Sequence, residues 1–181
     1  MIFRATEIPG AFVVEPARAQ DERGFFARLF TPEEFAARGL DTRVAQVALS
    51  FNRLAGTLRG LHYQVAPHAQ AKLVRCTRGA VWDVIVDLRP SSPAFRRHVA
   101  VELTAHGALQ LFVPAGCAHG FVSLADESEL LYQLSAPWQP GAERGVRWDD
   151  PALAIPWPLR PVVISARDAA LPGAERATDA E

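Results

Sequence analysis

The stretch Lys72-Leu73-Val74-Arg75-Cys76-Thr77-Arg78-Gly79-Ala80-Val81-Trp82-Asp83-Val84-Ile85-Val86-Asp87-Leu88 decides the fold. On either side of the Arg78-Gly79 turn, apolar residues recur with a period of two, the mark of extended chain. Lys72, Val74 and Cys76 share one face of the first run, and Trp82, Val84, Val86 and Leu88 share one face of the second. Asp83 and Asp87 fall on the opposite face with Val81 and Ile85, so two carboxyl groups alternate into a strongly apolar segment.

The same texture continues in both directions. Strand-like runs are expected at residues 11–15, 24–30, 45–50, 57–64, 72–77, 80–88, 98–103, 108–113, 120–124, 129–135 and 162–165. Turn chemistry separates them, at Arg89-Pro90-Ser91-Ser92-Pro93, His106-Gly107 and Pro114-Ala115-Gly116. One helix is well signalled: Thr31 to cap it, Pro32 at the first position, Glu34 to close a capping box, and Gly39 to end it. Many short strands with so little helix specify an all-β sandwich or barrel rather than a parallel α/β sheet. A single domain is expected over residues 1–171, followed by a loose tail at 172–181, where apolar periodicity is lost. Trp138, Trp148 and Trp157 sit among prolines and are expected to pack a lid-like C-terminal segment onto the barrel, with base stacking as the alternative.

Bulk properties narrow the function. With 181 residues, 49% hydrophobic and 22% charged, the chain has the makeup of one ordinary folded domain. A net charge of −1 without a basic block argues against a nucleic-acid partner held by phosphate neutralisation. No run is long enough to span a bilayer, and the first residues lack a signal pattern, so the expectation is a cytoplasmic protein without a membrane partner. Two cysteines, Cys76 and Cys117, form no metal-finger or disulfide framework.

Lys72 is the single lysine among nineteen basic residues. Its compact ammonium on a flexible stem can reach one oxygen where a guanidinium fork would not, although arginine bias alone would leave the same pattern. Of five histidines, His98 and His106 read as solvated and His68 sits in a loop, whereas His62 and His119 each lie in an apolar run beside glycine. Arg59 and His62 fall on opposite faces of an ideal strand, so both reach one space only if Gly60 introduces a bulge.

Pro114-Ala115-Gly116-Cys117-Ala118-His119-Gly120-Phe121 resembles the Pro-x-Gly-x-x-His turn of the cupin superfamily, double-sheet jelly-roll barrels. Metal-binding cupins add a His-x-His pair and a glutamate. Here His62 has no second histidine two residues away, so the expectation is a site without metal that uses histidine as acid or base. Histidine, lysine and tyrosine together suit proton abstraction beside a carbonyl, which needs a base, a cation for the enolate oxygen and an acid to return the proton. Tyr132, on a strand-like run, can supply that acid; a core tyrosine with a satisfied hydroxyl fits the same pattern.

Over nearly its whole length the chain resembles the dTDP-4-dehydrorhamnose 3,5-epimerase family, cupin-fold sugar-nucleotide epimerases. The resemblance rests on Asp21-Glu22-Arg23-Gly24-Phe25-Phe26, Thr57-Leu58-Arg59-Gly60-Leu61-His62-Tyr63-Gln64, Ala71-Lys72-Leu73-Val74-Arg75-Cys76 and Asp83-Val84-Ile85-Val86-Asp87-Leu88-Arg89. Downstream it continues through the cupin turn, Trp148-Asp149-Asp150-Pro151, Ile155-Pro156-Trp157-Pro158 and Ser165-Ala166-Arg167-Asp168. It implies a homodimer, without cofactor, that inverts C3 and C5 of a dTDP-linked 4-keto-6-deoxy sugar, turning dTDP-4-dehydro-6-deoxyglucose into dTDP-4-dehydrorhamnose. By the same resemblance His62 is the base, Asp168 its carboxylate partner, Lys72 the enolate cation and Tyr132 the acid on the other face. His119 lines the pocket. Arg59 and Arg23 meet the nucleotide diphosphate, Phe26 packs against the base, and Gln46 and Glu143 match binding positions. Arg23 and Phe26 would come from the neighbouring subunit.

Four departures bear on specificity. Arg28 stands where the family commonly has glutamate, Arg167 where it has lysine, Gln133 where the rhamnose enzymes have lysine, and the segment containing Asn52 does not align with the usual Gln-x-Asn-x-Ser. Alternatives are therefore a 3-epimerase, an epimerase of another nucleotide-linked keto sugar, a non-catalytic sugar-nucleotide-binding cupin and a metal-dependent cupin oxygenase.

Overall fold

Two β-sheets lie face to face in the computed structural model, which describes residues 1–177. The first sheet has the order β1 (Ile2–Ala5), β2 (Phe12–Glu15), β10 (Gln110–Val113), β7 (Lys72–Arg78), β12 (Ser128–Leu134) and β5 (Gln46–Asn52). The second runs β13 (Glu143–Gly145), β6 (Thr57–Gln64), β11 (Cys117–Ser123), β8 (Ala80–Asp87) and β9 (His98–Thr104), with the short β14 (Val163–Ile164) parallel to β6. This is the cupin jelly roll. A third, two-stranded sheet, β3 (Arg18–Asp21) with β4 (Gly24–Ala27), stands apart from both as an arm. Helices are short: α1 (Pro32–Ala36), α2 (Ala166–Ala169) and a 3-10 turn, Ala174–Arg176.

The period of two in the sequence sorts side chains into the layers. Val74, Cys76, Leu111, Val113 and Leu130 of the first sheet meet Val81, Ile85, Leu103, Cys117 and Phe121 of the second in a continuous interior. The wholly apolar face of β8 looks outward: Val84 and Val86 pack with Leu61 and Ala118 beneath Val146, Leu153, Ala174 and Ala177 of the C-terminal segment. The face carrying Asp83 therefore looks into the barrel. On the outside of the first sheet, α1 seals one end with Phe35 against Val14, Leu73 and Phe112.

Several expectations need correction. Residues 172–177 are not loose, because Ala174 and Ala177 are buried in the outer core and the Ala174 N–H donates to Asp150 at 2.7 Å. The rest of the expected tail, 178–181, lies outside the described residues. Thr31 does occupy the N-cap of α1, but its side chain makes no capping bond; Glu34 instead accepts from the Met1 amino group at 2.8 Å, so no capping box forms. Trp148 and Trp157 pack edge to face in the C-terminal coat as anticipated, whereas Trp138 is half exposed and bonds Glu143. The strand expected at 24–30 ends at Ala27, and β1, β3 and β13 carried no alternation to reveal them. No helix is long and apolar enough to cross a membrane.

Candidate active site

Between the open ends of the two sheets lies a cavity of about 530 Å³ that gathers Arg59, His62, Lys72, His119, Tyr132, Arg167 and Asp168. The bulge anticipated in β6 is what admits the first two together. His62 is the Cα partner of His119, and Arg59 of Phe121, so three steps along β6 match two along β11. Gly60 sits at φ +110, and a Cβ there would stand 2.7 Å from both the Gly120 Cα and the His119 carbonyl oxygen. Only glycine accepts that backbone angle and that approach.

His62 Nε2 lies 2.8 Å from Asp168 Oδ1. With Nε2–H given to the carboxylate, Nδ1 is the nitrogen whose lone pair is free to act as base. Asp168 is fixed from three sides: Oδ2 accepts from the Gly60 N–H at 3.0 Å, its own N–H donates to Ser165 Oγ at 3.0 Å, and the side chain is buried. Burial pushes its pKa up, but the bonds from His62 and the Gly60 N–H outweigh that and hold the carboxyl below its ordinary value.

Lys72, from β7, donates from Nζ to the His62 carbonyl at 3.1 Å. Burial lowers its pKa to about 8, against the pull of the Glu143 and Asp83 carboxylates. Tyr132, from β12, stands on the opposite sheet from His62. Burial pushes its phenol pKa far up, with the nearby negative charge of Asp83 adding to the effect. Its hydroxyl has no hydrogen-bond partner among the described residues, and its ring lies edge-on to His119 with centroids 5.8 Å apart. His119 in turn bonds Asp83, Nε2 to Oδ1 at 2.8 Å.

The remaining expected residues divide. Arg59 is braced by Asn52 Oδ1 at 2.8 Å and the Phe51 carbonyl at 3.2 Å. Glu143 is not among the residues lining the cavity but holds one of them, accepting from Arg167 at 2.7 Å and from Trp138 Nε1 at 2.8 Å. Gln46 shares the β5 face of Ala48 and Ser50 and accepts from the Trp138 N–H at 3.1 Å. Arg23, Phe26 and Arg28 are not at the cavity of their own chain. Arg23 pairs with Asp21 on the arm at 2.6 Å, and Phe26 and Arg28 line a separate groove beside Met1 and Glu34.

Three participants went unassigned in the sequence. Asn52 is 1% exposed and anchors Arg59 while donating to the Ser128 carbonyl. Ser165 caps the turn that carries Asp168. Asp83 was visible as a carboxyl alternating into an apolar strand and as part of a family-like run, but without a role. Among the described residues no group of three or more His, Cys, Asp or Glu is placed to hold a metal ion.

A jelly-roll barrel with a histidine–carboxylate pair on one wall, and a tyrosine and an ammonium on the other, holds the kinds of group that a proton-transfer isomerase uses. The model of the family described as dTDP-4-dehydrorhamnose 3,5-epimerase matches residues 5–175, and the chain belongs to that family. It is similar to the dTDP-4-dehydrorhamnose 3,5-epimerase of Sinorhizobium fredii, 40% identical over 95% of this chain and 89% of the relative. Among solved structures it resembles the Legionella pneumophila 3,5-epimerase in complex with dTDP-4-keto-L-rhamnose, with a TM-score of 0.90 and 36% identity, covering 97% of this chain and 93% of that one. It also resembles a 3'-monoepimerase from Streptomyces bikiniensis in complex with dTDP-quinovose, with a TM-score of 0.88 and 38% identity, covering 95% and 87%.

Proposed function

We propose that the protein is a cytoplasmic homodimer that epimerises a dTDP-linked 4-keto-6-deoxy sugar at C3 and then C5. The observation that carries this reading is the placement of His62 and Tyr132 on facing sheets. A proton removed from one side of a sugar ring and returned from the other inverts that carbon. His62 Nδ1 takes the proton alpha to the C4 ketone, and Asp168 stabilises the resulting imidazolium. The Lys72 ammonium meets the oxygen on which enolate charge develops. Tyr132, kept protonated by its surroundings, delivers a proton to the opposite face and regains one afterwards. The ketone already present in the substrate makes the carbon acid, so the route needs no redox partner.

Arg59 and Arg167 suit the diphosphate, since guanidinium forks match phosphate oxygens. A second copy is supported by the apolar stripe Val47, Leu49 and Phe51 on the outer face of edge strand β5, and by the exposed Phe25 and Phe26 on the arm. In that dimer Arg23 and Phe26 complete the partner's cavity, and Arg28 brings a positive charge to its rim. The likeness to a 3'-monoepimerase supports a second reading, inversion at C3 alone.

Proton NMR of dTDP-4-keto-6-deoxyglucose incubated with the protein in D₂O separates the readings. Loss of both H3 and H5 signals, absent with His62→Asn, upholds the 3,5-epimerase. Loss of H3 alone establishes the monoepimerase, and retention of both rules out catalysis on this substrate.

A further inference from the structure

Asp83 is 0% exposed, in the barrel interior between Val81 and Ile85. A carboxylate in apolar surroundings is unfavourable unless what it touches compensates. One oxygen is accounted for, with Oδ1 2.8 Å from His119 Nε2. The other, Oδ2, is buried with no hydrogen-bond partner among the described residues. His119 is the Cα partner of His62, so the cavity is flanked by two histidines in register, each bonded through Nε2 to an aspartate, one from α2 and one from β8. With Nε2–H given to Asp83, the His119 ring is locked edge-on to Tyr132 and Nδ1 is its uncommitted nitrogen.

Lys72 lines the cavity with Arg59 and His62 on β6, His119 on β11, Tyr132 on β12 and Arg167 and Asp168 on α2, and it borders a smaller hollow with Asp41 and Arg43. Its charge is favoured first by the Glu143 carboxylate on β13 and then by Asp83 on β8. Of the carboxylates, Asp168 is committed to His62, and Glu143 to Arg167 and Trp138. Asp83 keeps a free oxygen.

We propose that Asp83 is a positioning residue for this site: through Oδ1 it fixes the ring and tautomer of His119, and its unpartnered Oδ2 is an interior counter-charge, second to Glu143, for the Lys72 ammonium. The first half rests on the epimerase reading; the second can be tested without substrate. Because Lys72 is the chain's single lysine, labelling lysine with ¹³C and ¹⁵N gives one side-chain signal to titrate. In the wild type that signal is expected to titrate near pH 8. In Asp83→Asn it is expected to move down by about one unit or more, as loss of a nearby opposite charge requires. The alkaline limb of kcat should move with it, and kcat at pH 8 should fall about 10- to 100-fold while KM changes less than about threefold.

Coincident Lys72 titrations in the two proteins would overturn the counter-charge role. Activity lost in step with thermal stability, on an unmoved pH profile, would reduce Asp83 to packing. Should Asp83→Asn fail to fold, ¹⁵N spectra of the wild type still decide the first half: a protonated Nε2 on His119 upholds it, and a protonated Nδ1 overturns it. If Lys72 titrates as expected but no keto-sugar proton exchanges, the reaction assignment fails and the counter-charge role stands.

Discussion

The barrel interior and the β3–β4 arm both carry charged and aromatic residues, but they treat them in opposite ways. Inside, His62, Lys72, His119 and Asp168 each bond a partner from another element of the same chain, and the distances run from 2.8 to 3.1 Å. On the arm, Arg23 finds, among the described residues, only Asp21 two residues away, and Phe26 is 69% exposed. The arm's root is nevertheless held: Arg18 donates to the His106 and Gly107 carbonyls and lies over the Phe25 ring. The polar set of the cavity is tied together within one chain. The arm is anchored at its root while its charged and aromatic surface stays exposed.

The contrast can be broken most decisively at its interior end. His62→Asn should lower turnover by about 10³-fold, the range for loss of a general base, and abolish exchange at both carbons. Tyr132→Phe should remove inversion yet leave deuterium entering from the His62 side, since the base and its carboxylate are untouched. A variant that lost exchange as well would place both proton transfers on one residue and dissolve the two-wall mechanism.

Lys72→Met should abolish turnover and yet stabilise the fold. Holding a buried ammonium whose pKa has fallen to about 8 costs about 1–3 kcal/mol relative to an apolar side chain of similar length. Because the folded pKa lies below the unfolded one, that cost is full below about pH 8 and fades as pH rises towards the unfolded value. The melting temperature of the variant should therefore exceed the wild type's by several degrees at pH 7 and by less at pH 10. A gap that widened with pH would mean the ammonium is a net stabiliser. Asp168 works with the opposite sign: its lowered pKa contributes stability above the ordinary carboxylate range, lost as pH falls through the folded value.

At the other end of the comparison, Arg23→Ala should raise KM about 10- to 100-fold with kcat little changed, as loss of one charged phosphate contact does. The intersubunit reading sharpens into a mixing experiment. If the arm serves the neighbour, a dimer of one Arg23→Ala chain and one His62→Asn chain has one pocket with both lesions and one with neither. Wild-type KM should reappear in the mixture. Its absence would return Arg23 to its own chain or remove it from binding.

These two regions were also unequally legible. The strands that build the barrel alternate clearly, and Gly60 announced its bulge because Arg59 and His62 could share a space in no other way. The role of Asp83 could not be read, because it depends on β8 and β11 lying in a register that puts Asp83 diagonal to His119. Asn52 escaped for the same reason: its bond to Arg59 crosses from one sheet to the other. β3 escaped because all its residues are exposed, so pairing with β4 leaves no apolar period to find. The 3-10 turn at Ala174–Arg176 was taken for tail because two alanines, small and unaccompanied, are enough to dock it.

The smallest expected effects come from two N-cap residues that look alike in sequence. Ser165 accepts from the Asp168 N–H at 3.0 Å, so Ser165→Ala should cost about 1 kcal/mol and slacken the carboxylate that orients His62. A modest loss in kcat should accompany it. Thr31 holds the same position before α1 but makes no side-chain cap, so Thr31→Ala should change stability by less than about 0.5 kcal/mol and leave kinetics alone. Thermal melts and initial rates of the two variants decide this together. Equal costs would mean that the hydroxyl matters for its β-region backbone preference rather than its bond. A kinetic effect from Thr31 would show that α1, on the outer face of the first sheet, is coupled to the cavity through Leu73, the neighbour of Lys72 that packs beneath Phe35.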